Sequence, residues 1–200
     1  GAKVVGGAET GNSIHGNIKI PIASRKRASK EVWDKLLNGL NELGKYSLEE
    51  FGIKLSYHHH VGTMVENISE VDRLLNETDE RYVSLNYDCG HFYFANENPL
   101  DAIKKYMPRI SHIHLKDVRN NVKKRVEEEK LSFLEGVKLG VFTVPGDGDI
   151  KNMDEILNYI KSQNYKGWVV VEAEQDSALA NPFEYAKMGY DYINKHLNIW

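Results

Sequence analysis

A single cysteine, Cys89, in 200 residues excludes an internal disulfide framework. No run of about 18 apolar residues is present, and the mean hydropathy is -0.51, so no segment suits a bilayer and no membrane partner is expected. Basic residues are not in excess: 26 Lys and Arg against 29 Asp and Glu leave a net charge of -3. There is therefore no global basic field to hold a phosphate backbone, and no nucleic acid partner is expected. The opening residues GAKVVGGAE lack the basic and apolar regions of a secretory signal, and a cytoplasmic location is the expectation. No low-complexity linker or short tandem repeat interrupts the chain. Its length and its 41% hydrophobic, 28% charged balance fit one globular domain over residues 1–200.

Apolar, β-rich runs recur between longer segments with helical periodicity, the pattern of βαβ units. The runs are Lys3 to Gly7, Ile53 to Tyr57, Tyr82 to Tyr87, Ile110 to Leu115 and Trp168 to Ala173. Each is near-continuously apolar, as expected for parallel strands covered on both faces, so the fold class is α/β with at least five parallel strands. Ser29 is placed to cap a helix with the stripe Val32, Trp33, Leu36, Leu37, Leu40 and Leu43, and Gly52 to stop it. Ser69 is expected to cap a second helix through Val71, Leu74 and Leu75; Pro99 starts a third and Pro108 ends it. Asn121 to Lys138 reads as one charged helix, with the turn Pro145-Gly146-Asp147-Gly148 and two further helices after it, the last from Pro182. These stripes are read as core.

The strand ends are more specific. Tyr57-His58-His59-His60, Tyr87-Asp88-Cys89-Gly90-His91, His112-Ile113-His114-Leu115-Lys116-Asp117 and Glu172-Ala173-Glu174-Gln175-Asp176 put metal-ligand residue types at four of five of them. Ligands bind at the carboxyl ends of strands in parallel α/β folds, and in a barrel those ends converge on one mouth. Strand alternation points His58 with His60, His112 with His114, and Glu172 with Glu174. Mixed imidazole and carboxylate donors suit Mn²⁺, Co²⁺, Fe²⁺ or Zn²⁺ better than Ca²⁺ or Mg²⁺. Thirty residues separate His58 from Asp88 and 26 separate Asp88 from His114, each about one βα repeat. His15, His59 and His196 are read as satisfied polar residues, Gly146 and Gly148 as a tight turn, and Arg25-Lys26-Arg27 as a solvated loop.

The segments YHHHVGT, YDCGHFYFA, ISHIHLKDVR, SFLEGVKLGVFTVPGDGDI, YKGWVVVEAEQD and ANPFEYA closely resemble the inosose dehydratase family, a branch of the xylose-isomerase-like barrel superfamily. The similarity runs from about Val4 to Tyr192. It implies a (β/α) TIM-barrel type fold of which this chain carries the C-terminal five βα units and lacks the first three of eight, leaving two open sheet edges. A homo-oligomer or a completing chain is expected to cover them. By motif, the resemblance carries over a divalent metal site of Asp88, His114 and Glu172, with His58 where the superfamily has a Glu; Glu174 competes with Glu172. The family is associated with Mn²⁺ or Co²⁺, other divalent ions remaining open. Glutathione is also named with it, but these motifs contain no site for glutathione.

The activity implied is dehydration of 2-keto-myo-inositol, a small polyol ketone, to a trihydroxycyclohexane-dione by a hydro-lyase of inositol catabolism. That chemistry removes a proton α to the carbonyl and expels the β-hydroxyl, with a divalent ion as Lewis acid. Glu174 or His60 is expected as the base and His91 or Lys116 as the acid. Glu9, His91 and Asp117 are candidate substrate contacts, and Asp117 is alternatively a partner of Lys116. Two other readings stay open: a ketose epimerase or sugar isomerase of the same superfamily, and a non-catalytic metal-binding partial barrel. An abasic-site endonuclease is disfavoured by the acidic balance and by too few ligands for a trinuclear site.

Overall fold

The computed structural model describes residues 1–197. Its strands are β1 (Val4–Gly7), β2 (Lys54–His58), β3 (Val83–Asp88), β4 (Ile110–Leu115), β5 (Asp117–Val118), β6 (Phe142–Thr143) and β7 (Val169–Val171). The helices are α1 (Lys30–Phe51), α2 (Ile68–Glu77), α3 (Cys89–Phe94), α4 (Pro99–Tyr106), α5 (Asn120–Glu128), α6 (Phe133–Lys138), α7 (Met153–Ser162) and α8 (Pro182–Leu197). Five strands form one parallel sheet in the order β1-β2-β3-β4-β7, at the places where the apolar runs predict them. The sheet curls steeply. Ser56 on β2 and Ser111 on β4 flank β3, yet their hydroxyls meet at 2.9 Å. A partial barrel results, with β1 and β7 as its edges.

The outward faces of the strands make the core. Leu55, Tyr57, Val83, Leu85, Tyr87, Ile113 and Leu115 are buried under helices that contribute Trp33, Val71, Leu74, Ile103 and Ile156. The inward faces carry short polar residues instead: Ser56, Ser84 and Ser111 form a connected row of hydroxyls below the barrel mouth. A bulge between Leu85 and Asn86 in the β3–β4 pairing sets the register above this row, aligning Asn86 with His112 and Asp88 with His114.

Helix termini reflect local chemistry. Ser29 Oγ accepts the Val32 N–H at the start of α1, and Gly52 ends it at φ 65°, a left-handed position that favours glycine. Helix α2 is capped by Asn67, not Ser69: Asn67 and Glu70 make a reciprocal capping box, and Ser69 only bonds the Asn67 side chain. The charged segment expected as one helix is two, because Ser132 and Glu135 form a second capping box that starts α6. Arg25 is also not a solvated residue; it pairs with Glu66 at 3.2 Å and Glu70 at 3.0 Å. Among the described residues no helix is long and apolar enough to cross a membrane.

Candidate metal centre and its second layer

Strand ends β2, β3 and β4, with the segment after β7, bring four donor atoms together. His58 Nε2 lies 3.8 Å from Asp88 Oδ2, 3.7 Å from Glu172 Oε2 and 3.1 Å from His114 Nδ1. His114 Nδ1 is 3.8 Å from Asp88 Oδ2 and 3.2 Å from Glu172 Oε2. An ion with bonds of about 2.0–2.2 Å has neighbouring donors about 3.0–3.5 Å apart; the spacings at 3.1 and 3.2 Å match that, and those at 3.7 and 3.8 Å need to close by only a few tenths of an ångström around a shared cation. The orientations are fixed from behind. His58 Nδ1 donates to the His59 carbonyl at 2.5 Å, which leaves Nε2 bare and aimed inward. Asp88 spends Oδ1 on capping α3 through the His91 N–H at 2.9 Å, while its buried Oδ2 has no hydrogen bond. That oxygen, with no hydrogen bond although the Lys116 ammonium stands 3.3 Å away, belongs to a set of two imidazoles and two carboxylates that fits a divalent transition ion.

One step further along the same strands stands a second set. His60 lies two residues past His58, Lys116 two past His114, and Glu174 two past Glu172; His91 reaches in from α3. His60 Nε2 is 3.6 Å from Glu174 Oε1, and its Nδ1 donates to the Val61 carbonyl at 2.7 Å, leaving Nε2 with its lone pair toward the site. Lys116 is fully buried, and its Nζ contacts Glu174 Oε2 at 2.5 Å, Glu172 Oε2 at 2.6 Å, Asp88 Oδ2 at 3.3 Å and His91 Nε2 at 3.1 Å. An ammonium only donates, so His91 accepts through Nε2. Glu174 adopts φ 43°, a left-handed conformation costly for a non-glycine residue, and this turn brings its carboxylate back over the mouth.

Burial sets the protonation of these groups, and charge corrects it. Burial raises the Asp88 carboxyl, with Lys116 opposing and Glu172 reinforcing the rise. Burial also acts to raise Glu172, but the neighbouring His114 and His58 rings and the Lys116 charge hold it well below the usual carboxylate range. Against the same burial, Lys116 and His60 hold Glu174 down to about 2. Lys116 itself is disfavoured as a cation by burial and restored, to well above its ordinary value, by Asp88, Glu174 and Glu172. His91 is kept neutral first by burial and then by the neighbouring His60 and Lys116.

One expectation is corrected by position. Asp117 does not pair with Lys116 or face the mouth: adjacent residues on a strand point apart, and its carboxylate accepts the N–H groups of Val118 at 2.8 Å, Ile150 at 3.0 Å and Gly146 at 3.1 Å. It anchors the PGDGD turn, where Gly146 sits at φ 86°. Glu9 lies outside both layers and accepts the Asn12 N–H at 2.5 Å within its own turn. His15, read as a satisfied polar residue, bonds Ser13 Oγ at 2.9 Å and also packs against His60 with ring centroids 4.8 Å apart. His59 is the buried structural histidine expected: its Nε2 accepts the Asp88 N–H at 3.2 Å, and its ring lies 3.8 Å from that of Phe92.

Sequence reasoning misses Asn86, Phe133 and Phe142. Asn86 Nδ2 stands 3.3 Å from His114 Nε2, and Val4, Gly6, Gly7, Ala8 and His112 join it around a cavity of about 310 Å³ inside the curl. Phe133 backs His60 at 4.9 Å between centroids, and Phe142 backs Lys116 with Nζ 5.1 Å from the ring. The alternation of β3 signals Asn86, two residues before Asp88; nothing local signals the two phenylalanines, which arrive from outside the strand ends.

The sequence profile of the xylose isomerase-like TIM barrel family matches residues 2–196. An inosose dehydratase from Clostridium botulinum (strain Alaska E43 / Type E3) is 46% identical over 200 residues, covering 100% of this chain and 66% of the relative. An inosose dehydratase from Geobacillus thermodenitrificans (strain NG80-2) is 49% identical over 196 residues, 98% of this chain and 65% of the relative. The chain thus spans about two thirds of the length of the curated relatives it matches. Among solved structures, the IOLI protein with a bound zinc atom superposes with a TM-score of 0.67 at 19% identity, over 97% of this chain and 64% of that one, a likeness of fold.

Proposed function

The chain belongs to the xylose isomerase-like TIM barrel family, and from that premise we propose that it serves a metal-dependent hydro-lyase acting on 2-keto-myo-inositol. The observation that carries the reading is the two-layered mouth: a four-donor metal set with a base and a cation directly above it. His58, Asp88, His114 and Glu172 would hold the ion, with Mn²⁺ or Co²⁺ our assignment. When bound, the ion supplies Lewis-acid stabilisation of the charge that develops on the substrate carbonyl oxygen.

The chain's own residues supply the proton transfers. His60, its Nδ1 engaged by the Val61 carbonyl, presents Nε2 to take the proton α to the carbonyl. Glu174 Oε1, 3.6 Å from that nitrogen, balances the imidazolium that forms. Lys116 carries its protons into the mouth and is the donor for the departing hydroxyl, while His91 positions the ammonium by accepting from it at 3.1 Å. Phe133 and Phe142 exclude water from the side where these groups meet. Glutathione has no part in this scheme.

These residues act as one unit of five βα units, and the edges β1 and β7 are covered by a second copy or by a completing chain. Val5 beside one edge and Trp168 beside the other are 41% and 74% exposed, as an uncovered edge would leave them. A cytoplasmic setting keeps the one buried thiol, Cys89, reduced.

The test is incubation with 2-keto-myo-inositol with and without Mn²⁺ or Co²⁺, following the product by NMR. Metal-dependent loss of water to the dione is the expected result. An epimer or isomer would move the assignment to the epimerases of the family, and a bound metal with no turnover would leave a metal-binding partial barrel.

A further inference from the structure

Two ligand layers occupy the same inner face, and they differ in two members, His114 against Lys116 and Asp88 against His91. The lower layer takes His58 from β2, His114 from β4 and Glu172 from beyond β7, with Asp88 alongside. The upper layer takes His60, Lys116 and Glu174 from the same three places, with His91 alongside. His60, His91 and Glu174 have donor atoms within 4.8 Å of one another, close enough to gather round an ion, and His91 lies equally close to His58, Asp88 and Glu172, so it stands between the two layers. Where β4 should contribute the next donor, it contributes an ammonium.

Resting on the metal reading above, we infer that Lys116 is a built-in substitute for a second divalent ion and that it keeps the centre mononuclear. Its Nζ bridges Glu172 of the lower layer and Glu174 of the upper at 2.6 and 2.5 Å, the place a bridging cation takes between two carboxylates. It also takes the His91 Nε2 lone pair at 3.1 Å, so two of the three upper donors are engaged by the lysine. Charge closes on this arrangement. The carboxylates of Asp88, Glu172 and Glu174 are matched by one ammonium and one divalent ion, and a second divalent ion would leave the pocket in excess positive charge. The lysine is held in place by construction: a Cβ at Gly90 would lie 2.0 Å from Lys116 Cγ and 2.7 Å from Cδ, so α3 admits the stem only because residue 90 is glycine.

The consequence is a count. Mn²⁺ titrated into the metal-free full chain, monitored by elemental analysis and electron paramagnetic resonance, should give one ion per chain and the six-line signal of isolated Mn²⁺. Lys116→Leu and Lys116→Ala should each give two ions per chain, with a broadened spectrum from a close pair. Lys116→Arg, which restores the cation, should return one, as should Lys116→Ala combined with Glu174→Gln. Two ions in the parent chain, one of them lost with Glu174→Gln, would overturn the inference without any lysine variant. One ion in the parent and in both lysine variants would overturn it while leaving the metal reading intact. No ion in the parent would remove both.

Discussion

Replacing Gly90 by Ala pits two effects of opposite sign against each other. Alanine is favoured over glycine by about 1 kcal/mol in a helix interior, and by no more than that at the second residue of α3, so an uncrowded site would gain a little stability. Here the added methyl would stand 2.0 Å from Lys116 Cγ, 2.7 Å from Cδ and 3.3 Å from the Lys116 carbonyl oxygen. Lys116 is fully buried, with Phe142 beside its ammonium, so the stem cannot swing out to solvent. Overpacking of this kind costs about 1–3 kcal/mol, and pulling the ammonium from its buried carboxylates adds part of the about 3–5 kcal/mol of a broken buried ion pair. The net expectation is a loss of about 2 kcal/mol, or a Tm lower by about 4–8 °C for a chain of this size. Urea and thermal unfolding monitored by circular dichroism read it directly. A Gly90→Ala variant as stable as the parent, or more stable, would refute the placement of the lysine stem against α3.

Two other outcomes rest on the same kind of contact. Asp117→Ala removes the acceptor of three backbone N–H groups, those of Val118, of Gly146 in the PGDGD turn and of Ile150 just after it, and a loss of about 2–4 kcal/mol is expected, with new proteolytic cleavage between Val144 and Asp149 as the local signature. In the metal-free chain, the Glu174 carboxyl is held at about 2 in the folded state against an ordinary value of 4.5. A lowered folded value means stability that is complete above about pH 4.5 and lost as pH falls toward 2. Urea midpoints across that window should fall more steeply for the parent than for Glu174→Gln, and equal slopes would contradict the ion pair with Lys116.

The strands and most helix starts are legible in the sequence because they depend on short-range chemistry. Apolar runs bounded by turn residues mark all five strands of the sheet, and Ser29, Gly52 and Pro99 mark helix ends through their own backbone preferences. Errors arise where two local signals compete. Asn67 rather than Ser69 starts α2 because only Asn67 has a glutamate three residues on to complete the box, and Ser132 divides a segment whose charge pattern runs on without a break. Helix α3 is invisible to periodicity because it is six residues long and is set by the Asp88 cap.

In the site, alternation locates His58, His114 and both glutamates, yet Glu174 reaches the mouth through a left-handed turn that no periodicity encodes. Adjacency to Lys116 misleads for Asp117, since neighbours in sequence leave a strand in opposite directions. The bridging position of Lys116 depends on the curl of the sheet, which draws β4 and the segment after β7 over β3. That is a property of the assembled strands.

On the proposed function, His58 Nε2, Asp88 Oδ2, His114 Nδ1 and Glu172 Oε2 hold one divalent ion. Crystals of the chain grown with Mn²⁺ and measured at a wavelength where manganese scatters anomalously test it most directly. One anomalous peak per chain is expected within about 2.0–2.4 Å of those four atoms, with Lys116 Nζ still bridging Glu172 and Glu174. A peak centred on His60, His91 and Glu174 instead, or full loading of a His114→Ala variant at the same position, would contradict it.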